Sequence, residues 1–182
     1  MNHPTKSRLC SAALPRDHDP AATPASPLAV AATVTDPELP MLTLADLGVL
    51  RSVEEDDGRV TVTITPTYSG CPAMATMRDD LLRRLTEEGY AAEVRVSLSP
   101  AWSSDWITDT GRAALAEHGI SPPGPASDRP VGLSLLPTRR AIDCPRCGCT
   151  EVSLVSEFGA TACQAQYRCT ACLEPFDHVK EI

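Results

Sequence analysis

Cys144-Pro145-Arg146-Cys147 and Cys169-Thr170-Ala171-Cys172 are two Cys-x-x-Cys pairs separated by 21 residues, and no other feature restricts the fold as strongly. Each pair can close as a tight knuckle presenting two thiolates, and a hairpin that joins two knuckles supplies the tetrahedral four-sulfur set that zinc accepts. Gly148 permits the turn that aims backbone N–H groups at the sulfurs; Leu173 holds the equivalent place after the second pair, so that knuckle is less favourable. Residues 152–158 and 162–168 are the expected hairpin arms, with Gly159 at the tip. So short a module lacks a sufficient core, and a metal would supply much of its folding free energy. A four-cysteine zinc is a closed structural staple. A redox iron site is the sharper alternative, and four cysteines alone do not separate the two.

Eight cysteines could instead mean disulfides, but six of them lie between Cys144 and Cys172 at metal-ligand spacing, and the longest early apolar run, residues 28–32, is too short for a signal-peptide core or a membrane span. The chain is therefore expected to be cytoplasmic, with no membrane partner. Sixteen basic residues against 24 acidic ones leave a formal charge of -8, which repels phosphate backbones and anionic lipid. The ribbon itself, residues 141–182, carries Arg146, Arg168 and Lys180 against six acidic side chains, so a nucleic-acid role has no positive face to rest on. The only lysines are Lys6 and Lys180, which disfavours phosphate-loop and lysine-imine chemistry.

The chain divides into a flexible Pro/Ala-rich tail at 1–33, a small α/β domain at 34–120, a Pro-rich linker at 121–140 and the ribbon at 141–182. The last part of the tail can begin a first helix. Val60, Val62 and Ile64 alternate with polar residues in the second arm of a hairpin turning at Asp56-Asp57-Gly58. Pro72 opens a helix whose Met74, Met77, Leu81, Leu82 and Leu85 share a face and which Gly89 closes. Val94, Val96 and Leu98 alternate as a further strand, and a short helix follows at about residues 110–118. The order of helix, strand, strand, helix, strand, helix is that of an α+β layer, helices over a short mixed sheet.

Cys71 directly precedes Pro72, so it is expected at the helix N-cap, where free N–H groups and the positive end of the dipole favour a thiolate. It is a candidate reactive or metal-binding sulfur; the alternative is an ordinary small cap residue. Asp36-Pro37-Glu38 offers two carboxylates that either approach the same site or merely form a turn. A Cys-His nucleophile is disfavoured, since His3, His18, His118 and His178 lie far from Cys71 in sequence; His118 and His178 read as surface residues. Trp102 and Trp106 read as packing residues, with a partner-binding edge as the second choice. Cys149 and Cys163 are left over as small packing residues, spare ligands or a reactive pair; packing or an accessory role is favoured.

Thr35-Asp36-Pro37-Glu38-Leu39-Pro40, Leu47-Gly48-Val49-Leu50 and the segment 65–72 with its Cys71 resemble the small iron–sulfur-assembly domain shared by SufT-like proteins and the eukaryotic cytosolic iron–sulfur targeting factor. The continuation 102–122 and the ribbon, with Phe158-Gly159-Ala160-Thr161-Ala162-Cys163 and Glu174-Pro175-Phe176-Asp177, are similar to a narrower group, the D proteins of bacterial phenylacetyl-CoA ring-epoxidase systems. That resemblance implies a non-catalytic assembly or accessory factor in phenylacetate catabolism, helping to insert or maintain an iron–sulfur cluster in a multicomponent oxygenase. Its partners would be the oxygenase reductase component, as client, and the other epoxidase subunits. The alternative is a stoichiometric structural subunit of that complex. On this resemblance Cys71 would be the transient cluster or iron contact, Asp36 and Glu38 would shape its surroundings, and Cys144, Cys147, Cys169 and Cys172 would hold a structural zinc. One thiolate cannot hold a cluster alone, so a homodimer or the client is expected to supply the remaining ligands. Cys163 lies in the ribbon stretch typical of the group; Cys149 and the tail receive no role.

Overall fold

The computed structural model describes residues 25–125 and 142–182. The expected tail before residue 25 and most of the linker lie outside them. Helix α1 (Pro27–Ala31) starts at Ser26, whose hydroxyl accepts from the Ala29 N–H at 3.2 Å, with Pro27 at the first position, where a missing N–H costs nothing. Strands β1 (Leu50–Asp56) and β2 (Arg59–Ile64) form the expected antiparallel hairpin. Asp57 and Gly58 both have positive φ, as a two-residue turn matching strand twist requires. Helix α2 (Met74–Glu87) then crosses over to β3 (Ala91–Val96), which pairs parallel with β2. The sheet order β1-β2-β3 puts the strand of strictest alternation in the middle: Val60, Val62 and Ile64 are fully buried in one core with Met77, Leu81 and Leu85 of α2. The expectation for the last strand needs correcting. Val94 is buried, but Val96, the last residue of β3, is 50% exposed, and Leu98, 62% exposed, lies past the end of this edge strand.

Between α1 and β1 the chain has no regular element, yet Leu39, Leu42, Leu44, Leu47 and Val49 are all buried. Their spacing of three, two, three and two fits neither a helical stripe nor strand alternation. A bridge between Thr35 and Thr43 and a bond from the Asp36 N–H to the Leu42 carbonyl (3.0 Å) close this stretch on itself. The two tryptophans brace it. Trp102 is buried and its indole N–H donates to the Leu47 carbonyl at 3.0 Å. Trp106 sits under the guanidinium of Arg51, 3.5 Å from the ring centroid; Arg51 is the extra residue where the β1–β2 register shifts. Helix α3 (Asp109–Glu117) is capped by Thr108, whose hydroxyl accepts from the Gly111 N–H.

The ribbon is a three-stranded antiparallel sheet, β4 (Val152–Ser156), β5 (Gln164–Cys169) and β6 (Pro175–Val179), in that order. Strand β6 escapes a sequence reading because its alternation buries a polar ring. His178, expected at the surface, is only 2% exposed, with Nδ1 3.1 Å from Ser121 Oγ and its ring edge-on to Tyr167. Ser121 is fixed there too: its N–H donates to the Asp177 carbonyl and its carbonyl accepts from the Val179 N–H, at 2.8 and 3.1 Å. Val179 joins the core of the α/β unit, and the Ser104 N–H donates to the Ile182 carbonyl at 3.0 Å. The ribbon is thus seated on the α/β unit. No helix of the described residues is long and apolar enough to cross a membrane.

Candidate functional site: a four-sulfur knuckle pair and a recess around Cys71

The four cysteines read as metal ligands do come together. The Sγ atoms of Cys144, Cys147, Cys169 and Cys172 all lie within 4.8 Å of one another, with Cys144–Cys172 and Cys147–Cys169 at 3.7 and 3.6 Å. A tetrahedron with metal–sulfur bonds of about 2.3 Å has edges of about 3.8 Å, so the set fits a single tetrahedral metal. Cys144 and Cys169 are buried, while Cys147 and Cys172 face outward. The Cys172 N–H points at Cys169 Sγ (3.5 Å). That amide, with the Ala171 N–H, lowers the Cys169 thiol to about 6, the direction that favours a thiolate ligand. Cys149 is not a fifth ligand; its sulfur receives the Glu151 N–H instead.

The second knuckle pays the conformational cost its sequence implies. Leu173 adopts φ 64°, matching φ 71° at Gly148. A left-handed backbone at a residue with a Cβ costs about 1–2 kcal/mol, and the 59% exposure of Leu173 leaves little burial to offset it. Leu173→Gly is expected to raise the stability of the metal-loaded protein by about 1 kcal/mol after the greater flexibility of unfolded glycine is counted, seen as a higher denaturant midpoint. A lower midpoint would show that the leucine side chain carries contacts worth more than the strain.

Around Cys71 the structure corrects one expectation and answers another. Helix α2 begins at Met74 with Ala73 as N-cap, so Cys71 and Pro72 lie in the turn before it. The dipole end still reaches Cys71 through the Ala73 N–H, but burial outweighs that amide, and the charges of Glu38 and Asp36 add to burial, so the thiol is pushed up rather than down. Of the acidic pair, Glu38 lines the same recess as Cys71, and Asp36 holds the turn: it is buried, and one of its oxygens accepts from the Glu38 and Leu39 N–H groups at 2.7 and 2.9 Å. Burial raises the Asp36 carboxyl against those two bonds, and raises Glu38 with help from the Asp36 charge.

One recess is lined by Glu38, Thr67, Tyr68, Cys71, Pro72, Ala162 and Cys163. Cys163, which sequence reasoning left as a packing residue, comes from the ribbon and joins Cys71 there. The signal that could have found it was weak: a cysteine at a hairpin tip, outside both Cys-x-x-Cys pairs. Neither described histidine lines this recess. His118 closes α3, with Nδ1 2.8 Å from the Ala114 carbonyl, and His178 lies in the domain seam.

Residues 28–98 match the family described as iron–sulfur cluster assembly protein, and residues 128–180 match the PaaD zinc beta ribbon domain. The chain is 42% identical over 153 residues to an Escherichia coli (strain K12) protein whose name assigns it provisionally as the D component of a 1,2-phenylacetyl-CoA epoxidase, covering 84% of this chain and 89% of that one. Other relatives match about half of this chain. An Fe-S protein maturation auxiliary factor of Porphyromonas gingivalis (strain ATCC BAA-308 / W83) is 34% identical, covering 46% of this chain and 81% of that one. The Fe-S protein maturation auxiliary factor SufT of Staphylococcus aureus (strain USA300) is 35% identical, covering 45% and 96%. With one relative matched across both domains and the two regions matched separately, the chain belongs to the PaaD family, an iron–sulfur-assembly-type α+β domain followed by a zinc-ribbon domain.

Proposed function

We propose that this protein is a non-catalytic assembly factor that helps insert or maintain an iron–sulfur cluster in the multicomponent phenylacetyl-CoA epoxidase, with the reductase component as client. The observation that carries the reading is the half-buried Cys71 thiol in a recess walled by the Glu38 carboxylate and lined by no histidine. Burial and the carboxylates oppose a bare thiolate, and the same carboxylates favour a cation beside it. Iron, alone or at the edge of a cluster, is cargo in this scheme. A sulfur–iron bond forms as the S–H bond breaks, the proton leaves to water, and Asp36 and Glu38 balance the charge. Because one chain cannot fill the coordination of a cluster, the client or a second copy completes it and can draw the cargo away. Cys144, Cys147, Cys169 and Cys172 hold zinc, which adds rigidity and has no open position.

The test is Cys71→Ala in cells that make the epoxidase, with iron and acid-labile sulfide measured in the purified reductase. Losing even an outer-shell partner weakens a metal site by about 10–100-fold, so losing the contact sulfur should leave the client mostly empty. Full occupancy, together with a fixed ratio of this chain to the epoxidase subunits through purification, would favour a structural subunit instead.

A further inference from the structure

We propose that Cys163 is the second ligand of the Cys71 site, so that the α/β domain and the ribbon together form a two-thiol seat for a thiophilic divalent cation, ferrous iron in the reading above, on which this inference rests. Both cysteines line the same recess, with Glu38 at its wall, and the same two carboxylates, Glu38 and Asp36, act on both thiols. The position of Cys163 is fixed from several sides. Its carbonyl accepts from the Lys180 N–H at 2.9 Å, and Lys180 Nζ donates to the Ala162 carbonyl at 2.9 Å while lying 4.4 Å from the centre of the Phe158 ring. The Gly159 N–H donates to the Gln164 carbonyl, and a Cβ on Gly159 would meet Asp177 Oδ1 at 2.9 Å, so the tip has no slack.

The surroundings of the sulfur are those of a ligand more than of packing. Thr161 Oγ1 lies 3.0 Å from Cys163 Sγ, and Thr67, from the other domain, offers a second hydroxyl. Hydroxyls that can donate to the sulfur stabilise it once its proton is gone, a service that a cysteine acting as a small apolar filler does not need. Two sulfurs and a carboxylate suit a borderline cation such as ferrous iron or zinc. Among the described residues, the ribbon tetrad is the one group of three or more such ligands gathered within 4.8 Å, so Glu38, Cys71 and Cys163 share a recess without forming a closed ligand set. A cation taken up there would keep positions open to a recipient, unlike one in a closed structural site.

The experiment uses the full chain under anaerobic conditions, with the ribbon saturated with zinc and Co(II) as the probe. The unaltered protein should develop thiolate-to-cobalt charge-transfer absorption. Cys163→Ser and Cys71→Ser should each show roughly half the intensity and about tenfold or more weaker binding, and the double variant none, all with unchanged zinc content. Full intensity and affinity in C163S with loss in C71S would overturn the inference and leave the Cys71 reading standing. Absence of the band in the unaltered protein would overturn the seat, while the Cys71 reading would still be judged by client cluster content. A second measurement needs no variant. Diamide, which takes up the two thiol hydrogens as it is reduced to its hydrazine, should join Cys71 to Cys163, and a peptide map without that pair counts against the inference.

Discussion

Removing the metal from the knuckle pair should unfold the ribbon while the α/β domain stays folded. The ribbon's own buried apolar cluster is Ile142, Cys144, Cys169 and Phe176, with Cys149, Val152 and Tyr167 partly buried against it. Half of the fully buried set are metal-ligand cysteines, so without metal the residual core is two side chains. A module of this size rarely folds without a staple, and a structural zinc contributes on the order of 10–16 kcal/mol at neutral pH. Cys169→Ser, or a strong chelator, is therefore expected to abolish the β4–β5–β6 sheet in circular dichroism and amide exchange, while the amides of α2 and β2 stay protected. Ribbon amides that stay protected after the metal is gone would show that the seam with the α/β domain holds the module by itself.

The same experiment reaches the recess. Ala162 and Cys163 form one wall of it, and the ribbon's attachment runs through Val179, Ser121 and Ile182. Loss of the ribbon should bare Cys71, so thiol labelling at Cys71 should quicken on metal removal. It should also strip Val179 from the first core, at a cost of about 1.5–2 kcal/mol for a buried valine, lowering the melting point of what remains. A metal held by the ribbon would thus act on the recess around Cys71 at a distance, by positioning the wall that Ala162 and Cys163 form.

How much of this was legible beforehand depended on whether a residue's role was local. The β1–β2 hairpin, the body of α2, α3 and the gathering of the four knuckle cysteines are set by nearest-neighbour rules: turn residues with positive φ, a helical stripe, a Cys-x-x-Cys spacing. The expected cap of α2 lies two residues early, at Cys71 instead of Ala73, because Cys71-Pro72 suits both a cap and a preceding turn and only packing chooses. The direction of the Cys71 shift was missed because the nearby amide is visible in sequence whereas burial by a distant hairpin is not. His178 and Ser121 owe their positions to each other across 57 residues, and Cys163 owes its role to Thr67 and Cys71; no local pattern encodes such pairs. The buried leucines at 39, 42, 44 and 47 follow the shape of an irregular loop and have no period to read.

Gly48 carries the second large expectation. Its φ is +73°, and an added Cβ would stand 2.5 Å from Trp106 Cβ, 2.8 Å from the Trp106 carbonyl oxygen and 3.0 Å from its carbon. Two of those atoms are backbone and the third is fixed to it, so no side-chain rotation relieves the clash. Gly48→Ala must therefore move the 47–49 turn away from the Ser104–Trp106 turn, and both are tied to other things. Leu47 receives the Trp102 indole, Asp46 accepts from the Thr108 N–H and hydroxyl at the cap of α3, and Arg51 stacks on Trp106. Left-handed strain of about 1–2 kcal/mol adds to the cost of disturbing those contacts, for an expected loss of about 4 kcal/mol or more, at the rare end for single substitutions. Gly58→Ala is the matched control. Its φ of +74° is nearly the same, but an added Cβ meets nothing within 4 Å, so only the conformational part, about 1–2 kcal/mol, should be lost. Denaturation followed by the fluorescence of the two tryptophans reports directly on the disturbed region, since Trp102 and Trp106 are the only ones in the chain. Equal losses for the two alanines would mean that the Gly48–Trp106 contact yields easily and that φ alone accounts for the glycine.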